Sequence, residues 1–125
     1  MHTFFKKVND QYGHQAGDAV IKQLAESVAD SLRVEDIFAR IGGEEFAVLT
    51  RGLDLDAAQD LADRIRSLVE ARAFTWNGES IECTISIGGT MLQKEEALDA
   101  STLLKRADEH LYRAKDAGRN RVFVD

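Results

Sequence analysis

Between residues 16 and 33, apolar side chains at Ala19, Val20, Leu24, Val28 and Leu32 recur at steps of three and four, which gathers them on one stripe of a helix. The period then changes. Two short apolar runs, Ile37-Phe38-Ala39 and Phe46-Ala47-Val48-Leu49, flank Gly42-Gly43 and predict a β-hairpin. Helical spacing returns over residues 55–72, with Ala58, Leu61, Ala62, Ile65, Leu68 and Val69 facing inward and Asp54 or Asp56 near the start. Phe74 to Trp76, the Asn77-Gly78 turn and the β-branched run over residues 81–87 predict a second hairpin, with Gly88 and Gly89 loosening its end. A third helix over about residues 100–117 closes at Gly118, and residues 121–124 make a last strand.

Helices separated by hairpins, without regular strand-helix-strand alternation, predict an α+β fold in which helices cover a central, largely antiparallel sheet. The glycines also miss the spacing of the dinucleotide fingerprint, which sets a Rossmann fold aside. No repeat or low-complexity linker interrupts the pattern, so residues 1–125 read as one domain, a size at which a single core closes.

Charge narrows the partners. A formal net charge of −6 argues against a broad duplex nucleic-acid surface, which needs clustered Lys and Arg. It leaves room for a small anion held by a few placed cations and backbone N–H groups. No apolar run approaches the roughly 20 residues of a membrane span, so no membrane segment is expected in this chain. The lone Cys83 forms no internal disulfide and favours a reducing compartment, the cytoplasm.

Two adjacent carboxylates, Glu44 and Glu45, follow the glycine pair. Strand alternation sends neighbouring side chains to opposite faces, so one acid can hold a hard cation through oxygen while the other meets a substrate. Glycines let a ligand or a second backbone come close. Taken alone, the same residues also read as a turn followed by two solvated acids.

The rest of the chain supplies a context for this hairpin. The segments Phe5-Lys6-Lys7-Val8-Asn9-Asp10-Gln11-Tyr12-Gly13-His14-Gln15-Ala16-Gly17-Asp18, Ala39-Arg40-Ile41-Gly42-Gly43-Glu44-Glu45-Phe46, Ser86-Ile87-Gly88, Ala107-Asp108-Glu109-His110-Leu111-Tyr112 and Ala114-Lys115-Asp116-Ala117-Gly118-Arg119-Asn120-Arg121 together resemble a GGDEF domain. They span almost the whole chain in the family's order. The resemblance implies the cyclase or palm-like GGDEF fold and the activity of a diguanylate cyclase. Such an enzyme condenses two GTP into the bacterial second messenger cyclic di-GMP and pyrophosphate, across a homodimer that brings each 3′-hydroxyl to the partner's α-phosphate.

Residue by residue, the resemblance implies that Asn9 and Asp18 read guanine, a carboxylate accepting from its N1–H and amine while an amide both donates and accepts. It implies phosphate contacts at Lys6, Lys115 and Arg119. Glu44 matches a metal ligand for Mg2+ or Mn2+, and Glu45 the neighbouring signature acid, so the two form the catalytic pair. Read singly, Asn9 is also a turn residue, Asp18 a helix N-cap and the three cations surface charges. Tyr12, His14 and Phe46 read as packing or loop-positioning residues. Arg33-Val34-Glu35-Asp36 matches the family's RxxD inhibitory motif, and Arg64 a further contact to bound cyclic di-GMP, implying allosteric product inhibition. The alternative is a helix-end ion pair worth about 0–1 kcal/mol.

One departure changes the picture. The family enters this motif from a strand ending Asp-x-Asp, but here those places are Met1-His2-Thr3. Without the first aspartate, metal affinity should suffer, which opens a second reading: a weak or inactive enzyme serving as a cyclic di-GMP receptor. The family's first helix and most of its first strand have no counterpart, so an open strand edge is expected to pair with another chain. An upstream regulatory domain is expected as well.

Overall fold

The computed structural model describes residues 8–43, 45–92 and 99–125 in full, and residues 2–3 and 5–7 through their backbone. In chain order the elements are β1 (His2–Thr3), α1 (Phe5–Tyr12), α2 (His14–Asp30), β2 (Ile37–Gly42), β3 (Glu45–Leu49), α3 (Leu55–Ala71), β4 (Phe74–Trp76), β5 (Glu79–Ile81), β6 (Ile85–Gly89), α4 (Ala100–Asp116) and β7 (Val122–Val124).

The α2 stripe is the one the periodicity predicts, with Val20, Leu24 and Val28 buried. It ends at Asp30 rather than at residue 33 because the next turn takes over the backbone, the Arg33 N–H donating to the Asp36 carboxylate at 2.8 Å. Helix α3 begins where Asp54 caps it by accepting from the Ala57 N–H at 2.8 Å. It buries Ala62, Ile65 and Val69, whereas Leu68, expected inward, lies off the centre of that stripe and keeps 44% of its surface exposed. Helix α1 has one buried side chain among those described, Val8, and so presents no repeating stripe. It turns into α2 at Gly13, whose φ of 92° suits glycine.

Among the described residues the strands form three sheets. β6 lies between β1 and β7, antiparallel to β1 with His2 opposite Ser86 and parallel to β7 with Ile87 opposite Val122. β2 pairs with β3 and β4 with β5, both antiparallel. Among the described residues only β6–β7 is parallel, in keeping with an α+β, largely antiparallel arrangement. The Asn77-Gly78 hairpin forms as expected, with φ of 50° and 79°, the positive pair a type I′ turn needs. The following β-branched run is not its second strand. It divides at residues 82–84, so β5 closes the hairpin while β6 joins the other sheet.

Helices α3 and α4 both pack on β6 and β7, α2 packs on α1 and β4, and β1 touches β3. The shared core includes Val8, Val20, Leu24, Phe46, Ile65, Val69, Phe74, Cys83 and Ile85. The glycines of β6 do not loosen a strand end as expected. Gly88 lies directly under α4, where a Cβ would stand 2.1 Å from the Leu111 nitrogen and 2.3 Å from the Ala107 carbonyl oxygen. One turn along, His110 Nδ1 meets the Gly89 carbonyl oxygen at 2.6 Å.

Candidate functional site

Asn9, on α1, and Asp18, on α2, come together because Gly17 lets the helices touch. A Cβ at Gly17 would lie 1.8 Å from Asn9 Oδ1, and Asp18 is the next residue. Asn9 is therefore not a turn residue, although its carbonyl oxygen accepts from the Gly13 N–H at 2.8 Å. Nor does Asp18 cap α2, since the N-cap is Gly13. Asn9 Oδ1 is buried without a hydrogen-bond partner among the described residues. Such an acceptor costs about 1–3 kcal/mol when left unmet.

Asp18 opens onto a cleft of about 510 Å³ lined also by Ile21, Lys22, Ala25, Phe38, Arg40 and Phe46. One wall is α2 and the other is the β2–β3 hairpin. Phe38 and Phe46 stack across the hairpin at 5.4 Å, and Phe46 is buried, so it is a packing residue as expected. Tyr12 likewise packs against the core, while His14 is exposed at the start of α2. Ile21 and Lys22 lie outside the quoted motifs, and Arg40 lies inside one without an assigned role. Ile21 and Lys22 carry only the signal of sharing the α2 face with Asp18.

At the hairpin tip the register shifts between Arg40 and Gly42. Arg40 donates from Nε and Nη2 to the Gly43 carbonyl oxygen at 3.0 and 2.6 Å, fastening the turn. A Cβ at Gly42 or Gly43 would meet nothing within 4 Å among the described residues, whose packing therefore does not demand glycine there. Open space in front of that backbone suits close approach by a ligand. Glu45 opens β3 and is exposed; Glu44 lies outside the described residues. Among the described residues no three His, Cys, Asp or Glu gather as a metal site. Magnesium is held by one or two carboxylates with substrate phosphates completing its shell, and a Glu44-Glu45 pair offers hard oxygen of that kind.

Ser86 stands opposite His2 and its Oγ accepts from the Asn120 N–H at 3.2 Å. Strand β1, which precedes the helix that carries Lys6, and the α4–β7 loop, which bears Arg119, therefore both reach β6 at Ser86. Lys6 is placed by its backbone in the first turn of α1, its side chain lying outside the described residues, while Lys115 is half-buried in the last turn of α4.

Arg33, Asp36 and Arg64 gather beyond the end of α2. Arg33 Nη2 donates to Asp36 Oδ1 at 2.9 Å and to the Arg51 carbonyl oxygen at 2.7 Å, and Arg64 Nη2 donates to the Ser31 carbonyl oxygen at 3.1 Å. The Asp36 side chain keeps 1% of its exposure and that of Arg33 43%. Hydrogen bonds from the Arg33 side chain and then its backbone N–H hold the Asp36 carboxyl below the usual range, and the same side-chain bond raises Arg33. A lowered folded-state value means that the stabilisation is complete above the unfolded carboxylate value, about 4, and is lost as pH falls through the folded one. Asp36→Asn should therefore lose less stability than the parent as pH falls below about 4, read as thermal midpoints. Equal slopes would remove this linkage. Arg33 spends Nε and Nη2 on the chain itself, so a ligand must exchange bonds to use that edge.

Comparison with known proteins identifies the family and the fold. The family model described as diguanylate cyclase, GGDEF domain, matches residues 2–121. The chain is 44% identical over 120 residues to the diguanylate cyclase DgcP of Pseudomonas aeruginosa, covering 96% of this chain and 18% of that protein. It is 46% identical over 123 residues to the probable diguanylate cyclase DgcT of Escherichia coli, covering 96% and 27%. Among solved structures, the GGDEF domain of DgcB from Caulobacter crescentus in complex with c-di-GMP superposes with a TM-score of 0.89 at 31% identity, over 98% of this chain and 73% of that one. The active GGEEF domain of a diguanylate cyclase from Vibrio cholerae gives 0.83 at 32% identity, over 97% and 76%. The chain thus spans less than a third of the length of the two curated relatives.

Proposed function

The chain belongs to the GGDEF domain family of diguanylate cyclases, and from that premise we propose that it binds GTP and condenses two GTP molecules into cyclic di-GMP and pyrophosphate. The observation that carries this reading is the close approach of Asn9 to Gly17, the neighbour of Asp18, which itself lines a cleft whose far wall is the β2–β3 hairpin. Asp18 accepts from the guanine N1–H and exocyclic amine, and the Asn9 amide supplies a complementary contact. Lys6, Lys115 and Arg119 bind the triphosphate, a role that suits cations. Each domain holds one nucleotide, so two copies face one another as a homodimer.

In each of two steps the 3′-hydroxyl oxygen of one GTP attacks the α-phosphorus of the other. The new O–P bond forms as the bond to the bridging oxygen of the β-phosphate breaks. The electron pair leaves with pyrophosphate, and the hydroxyl proton passes to a base, for which Glu45 is the carboxylate we propose. Glu44 would hold magnesium or manganese, and the ion when bound neutralises charge on the phosphates. Incubation with GTP and magnesium should yield cyclic di-GMP; a folded dimer that makes none would defeat the reading.

A second reading, a cyclic di-GMP receptor of low activity, is favoured by the Arg33, Asp36 and Arg64 cluster and by the absence of a carboxylate in Met1-His2-Thr3. Its guanine edge would be read by the two arginines and its donors by Asp36. Calorimetry with cyclic di-GMP on the parent and on Arg33→Ala tests it, equal affinities removing the site. No described helix is long and apolar enough to cross a membrane.

A further inference from the structure

The loop after α4 holds three successive residues in the left-handed region: Gly118 at φ 122°, Arg119 at 64° and Asn120 at 48°. Glycine and asparagine accept that conformation readily, but arginine adopts it only when its surroundings impose it. The bonds that impose it are concentrated on the next residue. The Asn120 N–H donates to Oγ of Ser86, which is 2% exposed on β6. Asn120 Oδ1 accepts from Arg66 Nη1 at 3.0 Å, and Asn120 Nδ2 donates to the Glu70 carboxylate. Arg66 is itself held by Asp63 at 2.8 Å and by Ser67 Oγ at 2.8 Å, with 17% of its side chain exposed. On the other side, Arg119 donates its N–H to the Ala114 carbonyl oxygen at 3.0 Å and accepts at its own carbonyl from Arg121 Nε at 3.1 Å.

We propose that Asn120, clasped between Arg66, Glu70 and Ser86, is a positioning residue that fixes the left-handed backbone from which Arg119 meets the phosphates of a nucleoside triphosphate. The inference rests on the proposed reading of Arg119 as a phosphate contact. The side chain at 120 must donate and accept at once: aspartate would lose the donor and set a second carboxylate against Glu70. The clasp also makes α3, which carries Arg64 on one side, a structural support of the phosphate end.

The test is a double-mutant cycle with 3′-deoxy-GTP, which binds but lacks the attacking hydroxyl, titrated in magnesium by calorimetry. Arg119→Ala should weaken binding about tenfold, the worth of one charge-assisted bond. Asn120→Gly keeps the left-handed backbone accessible, removes the amide, and should by itself reproduce most of that loss in affinity with little change in thermal midpoint. Once Arg119 is alanine, Asn120→Gly should cost nothing further, whereas a merely structural effect would add. Glu70→Ala, on the exposed side of α3, gives a partial loss by the same rule and serves if the glycine variant does not fold. Parent-like binding by Asn120→Gly and Glu70→Ala beside a weakened Arg119→Ala, or additive penalties, would overturn the positioning role alone. Parent-like binding by Arg119→Ala would overturn the phosphate reading and the inference together.

Discussion

Gly88→Ala should destabilise the domain by about 3 kcal/mol, enough to lower its thermal midpoint by roughly 10 °C. The added Cβ would stand 2.1 Å from the Leu111 nitrogen, 2.3 Å from the Ala107 carbonyl oxygen and 2.6 Å from the Leu111 Cα. All three are backbone atoms of α4, so no side-chain rotation relieves the clash, and the helix must lift from β6. That movement would uncover Leu111 and Ala114, which α4 buries, and would pull on the loop that carries Arg119. Gly43→Ala is the matched control, since a Cβ there meets nothing within 4 Å and its stability should change by less than about 0.5 kcal/mol. Denaturant midpoints decide it: a Gly88→Ala variant within 1 kcal/mol of the parent would mean that α4 and β6 have slack at this contact.

Why Gly88 went unread as a packing residue shows where sequence reasoning stops. Period and turn chemistry are local, and the elements that depend on them, α2, α3, α4 and the two hairpins, were legible. A glycine next to a strand end carries no mark of the helix that will cross it, because that helix begins twelve positions later, at Ala100. The division of the 81–87 run has the same origin: β6 is drawn off the β4–β5 hairpin by pairing with β1 and β7, which lie at opposite ends of the chain. Asn9 and Asp18 were named through family resemblance, and geometry adds the reason they can act together, the missing side chain of Gly17. Arg40 and Asn120 stood inside the quoted motifs without a role, since what distinguishes them is a bond to Gly43 in one case and to α3 in the other. Neither bond leaves a periodic trace.

Asp18→Ala should lower the catalytic efficiency of GTP condensation about 100-fold while leaving stability within about 0.5 kcal/mol. The two halves of that expectation have separate grounds. Asp18 is exposed, does not cap α2, and makes no hydrogen bond among the described residues, so its removal strands no partner within the fold. Under the proposed reading, however, the carboxylate at the cleft accepts two donors of the guanine edge at once, and losing both leaves that edge of the bound base without partners. Inosine triphosphate separates the two contacts, because it keeps the N1–H but lacks the exocyclic amine. The parent should prefer GTP over inosine triphosphate by about tenfold, and in Asp18→Ala that preference should fall towards one, since the group that senses the amine is gone. Displacement of a fluorescent GTP analogue reports the same ratio without turnover, which keeps the measurement informative even where the chain's synthesis is slow. If Asp18→Ala bound GTP as the parent does, or kept the preference intact, guanine would have to be read elsewhere along the cleft.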